Sequence, residues 1–239
     1  MKTKLLPSLT AAALALSACG QQNTPPSPPQ SSAPVPAASA PADTPAASTA
    51  GASASAPASA SAPATAAGKP GVDIRKDNLG GDFTLTDGTG KPFAMSSLKG
   101  KAVILSFGYT HCPDICPTEL LTYKDTLAQL GEQAKDVAVV FVSVDPERDT
   151  PELIGQYVKQ FHPDFIGLTD TQGGNDIALA KQLYKIISAK SEVKSEKLYN
   201  VDHSSGTYLL DKQGNAAIFE PFGAEAPQIA EDIRKLLAE

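Results

Sequence analysis

From residue 80 onward the chain alternates short apolar runs with amphipathic stretches. Phe83-Thr84-Leu85-Thr86 alternates, Asp87-Gly88-Thr89-Gly90 reads as a turn, and Pro92-Phe93 begins again, which predicts a small β-hairpin. Lys101–Phe107 is a continuous apolar run of the kind buried on both faces of a sheet, as is Val137–Val144, and Phe165–Leu168 is a shorter strand. Cys116-Pro117-Thr118-Glu119 opens a helix with Pro at the first helical position, and Leu120, Tyr123, Leu127 and Leu130 recur at helical spacing. Thr150-Pro151-Glu152 caps a second helix with the face Leu153, Ile154, Tyr157, Val158 and Phe161. Ile177–Ile187 is a third helix. Thr207–Leu210 and Ala216–Phe219 flank a turn at Gly214, and Pro227–Leu237 closes the chain with Ile229, Ile233 and Leu236 on one face. Strands spaced by helices predict an α/β fold with a central, mostly parallel sheet flanked by helices and an extra N-terminal β-hairpin. A terminal antiparallel hairpin plus helix is how a thioredoxin-like sheet ends. No internal repeat is visible.

The first 70 residues read differently. Lys2 and Lys4 precede a short apolar stretch, Leu5–Leu16, as in an export signal. Leu16-Ser17-Ala18-Cys19 resembles the lipobox of bacterial lipoproteins, which implies cleavage before Cys19, a lipid on its thiol and a membrane anchor. Residues 20–70 hold 17 Ala, 11 Pro, 9 Ser and 4 Thr and no aromatic residue, so this stretch cannot bury a core. The expected organisation is a lipoprotein signal peptide at 1–18, a lipidated Cys19 with a disordered linker to residue 70, and one domain at 71–239. A flexible linker of that length spans ~40 Å on average. The domain would face the periplasm of a bacterial cell envelope, on the inner or the outer membrane.

Charge narrows the partners. Residues 71–239 carry 17 Lys and Arg against 25 Asp and Glu, an acidic balance without a basic cluster, which argues against nucleic acid. Three cysteines in the whole chain exclude a disulfide-stapled miniprotein.

Two of those cysteines carry the candidate chemistry. The strand 101–107 runs into Gly108-Tyr109-Thr110-His111-Cys112-Pro113-Asp114-Ile115-Cys116-Pro117, and in open α/β sheets sites collect at the carboxyl ends of strands. A following helix N-terminus lowers thiol pKa values. The spacing of Cys112 and Cys116 lets both sulfurs face one point, as a redox pair with a possible disulfide or as ligands for a soft ion such as Cu(I). A third ligand would admit Cu(II) as well. His203, just before the strand Thr207–Leu210, is the candidate, because in a thioredoxin-like sheet that loop faces the cysteine turn. Thioredoxins carry a cis-proline there, whereas this chain has no proline between Asp164 and Glu220.

Three segments then resemble the Sco/SenC family: residues 108–119 (Gly-Tyr-Thr-His-Cys-Pro-Asp-Ile-Cys-Pro-Thr-Glu), residues 142–151 (Val-Ser-Val-Asp-Pro-Glu-Arg-Asp-Thr-Pro) and Val201-Asp202-His203. The resemblance covers roughly residues 80–235. It implies a membrane-tethered, thioredoxin-fold copper protein with Cys112, Cys116 and His203 as copper ligands. It further implies assembly of the dinuclear copper centre of cytochrome c oxidase, by delivering copper or by reducing its cysteines. Expected partners are therefore the copper-site subunit of a terminal oxidase or another copper enzyme, a copper donor and a thiol reductant. Many relatives carry a transmembrane helix where this chain carries the lipobox.

Other residues invite weaker readings. Asp145 and Asp202 are candidates for carboxylates beside the site; Asp149 reads either as another such carboxylate or part of a partner-facing loop, or, with Thr150, as the cap of the helix after it. His111 reads as a surface or supporting group, His162 as a helix-end partner, and Lys185–Lys197 as a solvated loop. The rival functions are a thiol–disulfide reductase acting on copper-site cysteines and a copper- or thiol-based defence against oxidative stress. A peroxidase is disfavoured, because that chemistry wants a Thr three residues before the reactive Cys, and Tyr109 and Pro113 stand there.

Overall fold

The computed structural model describes residues 71–239. The leader 1–18, Cys19 and the linker to residue 70 lie outside the described residues. The strands are β1 (Val72–Asp73), β2 (Thr84–Asp87), β3 (Pro92–Ala94), β4 (Ala102–Gly108), β5 (Val137–Ser143), β6 (Ile166–Thr169), β7 (Ser188–Ser191), β8 (Asn200–His203), β9 (Thr207–Leu210) and β10 (Ala216–Glu220). The helices are α1 (Ile115–Leu130), α2 (Pro151–Lys159), α3 (Asn175–Leu183) and α4 (Ala226–Ala238). Eight strands form one sheet in the order β1-β10-β9-β4-β5-β6-β2-β3, and β7 and β8 form a separate hairpin.

This is a thioredoxin-like α/β fold with the predicted hairpin, β2–β3, at one sheet edge. The sheet is mixed. Only β4–β5 and β5–β6 pair in parallel, joined by the crossovers through α1 and α2, and every other pair is antiparallel. The apolar runs behave as expected: every residue of β4 and β5 is buried. Their alternation feeds two cores. Val103, Leu105 and Phe107 pack with Val140, Tyr184 and Tyr208 on the α3 side. Ile104, Val139 and Phe141 pack with Leu120 and Tyr123 of α1 and Ile229 and Ile233 of α4 on the other.

Four expectations are corrected. Helix α1 starts at Ile115, so Cys116 and Pro117 are its second and third residues; the first-turn N–H groups have no helical partner, so Pro costs nothing there. Helix α3 ends at Leu183, because Lys185 turns to φ +52° and the chain leaves the helix. In α2, Thr150 caps the N–H of Leu153 as predicted, but Leu153 itself lies outside the buried face. The stretch Lys185–Lys197 contains strand β7, which pairs antiparallel with β8 from Ser188 opposite His203 to Ser191 opposite Asn200.

Candidate metal centre

The centre starts where β4 ends. An added Cβ at Gly108 would lie 2.7 Å from Cys116 Sγ and 2.6 Å from the Phe141 ring, so only glycine lets the strand end approach the sulfur this closely. The loop beyond is pinned from β5. The buried carboxylate of Asp149 accepts hydrogen bonds from Thr110 N–H (3.0 Å), Thr110 Oγ1 (2.5 Å) and Ser143 Oγ (2.6 Å). Asp149 therefore braces the thiol loop, while the side chain of Thr150 does the capping. The Cys112 N–H donates to the Tyr109 carbonyl (3.2 Å), and the Cys116 N–H donates to Cys112 Sγ (3.4 Å). A helix N-terminus thus points a backbone donor at the sulfur of Cys112.

The two sulfurs differ in exposure and in charge. Both are free thiols; Cys112 is half-buried and Cys116 fully buried. The hydrogen bond from Cys116 draws the pKa of Cys112 well down against the effect of burial, with His203 and the backbone N–H groups adding to it. The same bond, together with burial, pushes Cys116 up. The surroundings therefore favour the thiolate at Cys112 and the thiol at Cys116.

His203 ends β8 and faces this pair. Its Nδ1 lies 2.9 Å from the carbonyl of Ser204, which can only accept, so Nδ1 carries a proton and Nε2 is left for the cysteines. Burial disfavours the charged ring, but the hydrogen bond to Cys112 and that to Ser204 outweigh it and raise the pKa. Its ring stands edge-on to Tyr109 with centroids 6.0 Å apart. Cys112 thus meets Cys116 on one side and His203 on the other. Among the described residues no three His, Cys, Asp or Glu side chains stand close enough together to hold a metal ion at once. Cys112 and His203 line an open cavity of about 340 Å³, with Tyr109, Pro113, Val201 and Ser205. Two sulfurs and an imidazole suit copper in either oxidation state.

The remaining candidates fall into place around this core. Asp145 is buried and bonds to Arg148 Nε (2.5 Å) and to the Tyr199 hydroxyl (2.8 Å). Asp202 accepts from Ser191 Oγ across the hairpin (2.9 Å). Neither hydrogen-bonds to a cysteine or to His203. His111 bonds to Thr110 Oγ1 and stands 3.7 Å from Asp149 with its ring half exposed. His162 accepts from the Asp164 N–H just beyond α2.

Sequence reasoning passed over two residues. Glu119, one turn after Cys116, is buried, and burial raises its pKa to about 7, opposed by His203 and reinforced by Cys112. Its spacing of four from Tyr123 places it on the apolar face of α1, which was the available signal. Arg148 lies in the Asp-Pro-Glu-Arg-Asp turn, where a charged side chain reads as solvated, yet its side chain is only 10% exposed.

A thioredoxin-like sheet with a dithiol on the loop after its central strand and an imidazole on the facing arm defines a class of thiol-and-imidazole proteins. Within it, the SCO1/SenC family model matches residues 72–238, and the chain belongs to that family. It is 39% identical over 149 residues to SCO2-like protein RP587 of Rickettsia prowazekii, covering 62% of this chain and 72% of that protein. It is 45% identical over 140 residues to Protein SCO2, mitochondrial, of Saccharomyces cerevisiae, covering 57% of this chain and 45% of that protein. The crystal structure of Arabidopsis thaliana ScoI with copper bound superposes with a TM-score of 0.62 at 37% identity, covering 67% of this chain and 98% of that one.

Proposed function

We propose that this protein is a membrane-tethered copper carrier that binds Cu(I) and Cu(II) through Cys112, Cys116 and His203. The observation that carries the reading is the sulfur of Cys112, which accepts the Cys116 N–H and lines one open cavity together with His203 from a different element. Copper is cargo. Cu(I) would replace the proton on Cys116, which leaves to solvent, and the imidazole would close the ligand set once neutral. A partner thiolate reaching the cavity can take the metal by stepwise ligand exchange. The copper-bound state of the Arabidopsis relative supports this cargo, and the family resemblance supports the dinuclear copper site of a cytochrome c oxidase as the recipient. The lipobox at Cys19 supports a lipid anchor, with the domain in the periplasm of the bacterial envelope.

One observation favours a second activity at the same site. An accessible thiolate beside a buried thiol is the arrangement of an attacking and a resolving cysteine. Cys112 would attack a partner disulfide and release one partner thiolate. Cys116, as it loses its proton, would then displace the second, leaving a Cys112–Cys116 disulfide and a reduced partner. A separate thiol reductant must reset it.

The test is titration of the reduced, oxygen-free protein with Cu(I) against a coloured chelator. One tight copper per chain is expected. Stoichiometric transfer of oxidising equivalents from a disulfide peptide, without tight copper binding, would instead leave the reductase as the function.

A further inference from the structure

His203 sits on the β7–β8 hairpin, which shares no strand pairing with the main sheet. Something else must hold this arm to the thiol loop, and one side chain dominates the junction. Arg148 leaves the turn after β5 and runs between the two parts. Its Nε donates to Asp145, and Nη1 donates to the carbonyls of Tyr199 (2.9 Å) and Lys197 (3.4 Å) in the hairpin. The guanidinium lies 3.7 Å from the centroid of the Tyr199 ring and 5.7 Å from that of Tyr109. Tyr109 belongs to the thiol loop, three residues before Cys112, and Tyr199 belongs to the arm. The Tyr199 hydroxyl donates to the same Asp145. Tyr109 completes the circuit, its ring standing edge-on to that of His203 with centroids 6.0 Å apart. The other ties are the packing of Tyr199 and Val201 in the core, the Lys190–Glu147 ion pair and Lys181 with Ser188, while the Ile187–Ser204 bonds close the base of the hairpin itself.

We propose that Arg148 is a positioning residue for His203: its guanidinium clasps the hairpin to the thiol loop through Tyr199 and Tyr109 and sets how close the imidazole stands to Cys112. The proposal rests on the copper reading above for its consequence, but the clasp itself does not need copper. A planar fork that bonds in its own plane while stacking on rings is a task for arginine, which lysine cannot perform. Because the two sulfurs and the imidazole meet only pairwise through Cys112, small displacements of the arm decide whether the third ligand joins.

Two measurements on the full chain test this. Hydrogen exchange without copper compares wild type with Arg148→Met and Arg148→Lys. The amides of Val201, Asp202 and His203 are expected to exchange about tenfold faster in both variants, with α1 and β4 unchanged. Faster exchange throughout the domain, or no change in the hairpin, would overturn the clasp. A double-mutant cycle then measures Cu(I) affinity for wild type, Arg148→Met, His203→Ala and the double variant. Arg148→Met is expected to weaken binding about tenfold in wild type and to change nothing in the His203→Ala background. An equal loss in both backgrounds would mean that Arg148 does not act through His203 and would overturn the proposal. If wild type binds no copper, the carrier reading falls, and the exchange result alone decides whether Arg148 clasps the arm.

Discussion

The two halves of the proposed metal centre are built in different ways. The thiol loop grows out of the middle of the sheet: β4 is buried along its whole length, Gly108 packs against Cys116 and Phe141, and Asp149 ties Thr110 to the end of β5. The His203 arm is an appended two-stranded hairpin with a polar outer face, and Ile187 at its base is 77% exposed. The sulfurs are therefore fixed by the core, while the imidazole is held by a few side chains at a junction. A metal carrier has a use for that asymmetry, since a firm pair of soft ligands retains the ion and a less firmly held third ligand can come and go.

Changes on the thiol side should be costly. Cys112→Ser removes the shared sulfur, and Cu(I) affinity should fall at least about a thousandfold in a chelator competition. Gly108→Ala forces a methyl into the Cys116 sulfur and the Phe141 ring, so urea unfolding should show a loss of about 3 kcal/mol. An effect near zero would mean that the strand end has slack and that the sulfur is not fixed by the core.

Glu119 gives an effect of intermediate size and the opposite sign. Its folded-state pKa is raised to about 7 by burial, so the neutral form is the one that fits. Folding is therefore favoured at low pH, and that contribution is lost as pH climbs from about 4.5, the unfolded value, through about 7. Glu119→Gln should leave stability at pH 4 unchanged and raise it by about 2 kcal/mol at pH 8. A gain independent of pH would show that the carboxyl is not desolvated.

Changes on the arm should be smallest. His203→Ala is expected to weaken Cu(I) binding only about tenfold, to leave urea unfolding unchanged, and to alter the Cu(II) spectrum more than the Cu(I) affinity. If His203→Ala cost as much as Cys112→Ser, the two halves would be equivalent and the asymmetry would be wrong.

The same contrast explains what the residues revealed in advance. Strands β4 and β5 are legible because their apolar runs admit no other use, and Cys112 and Cys116 are legible because the loop follows directly from one of them. His203 could be named because it stands just before β9, whose place in the sheet is fixed by its own apolar run. The hairpin around it was not legible. Ser188-Ala-Lys-Ser and Asn200-Val-Asp-His carry no hydrophobic alternation strong enough to announce strands, and they form because they pair with each other. Arg148 was harder still, since a turn rich in charge looks solvated until Tyr109 and Tyr199 are seen to close over it.

X-ray absorption of the Cu(I)-loaded protein counts the atoms around the metal. Two sulfurs and one imidazole nitrogen are expected, with the nitrogen lost in His203→Ala and the sulfurs retained. A wild-type shell of sulfur alone, or one unchanged by His203→Ala, would contradict the convergence of the thiol loop and the arm on one ion.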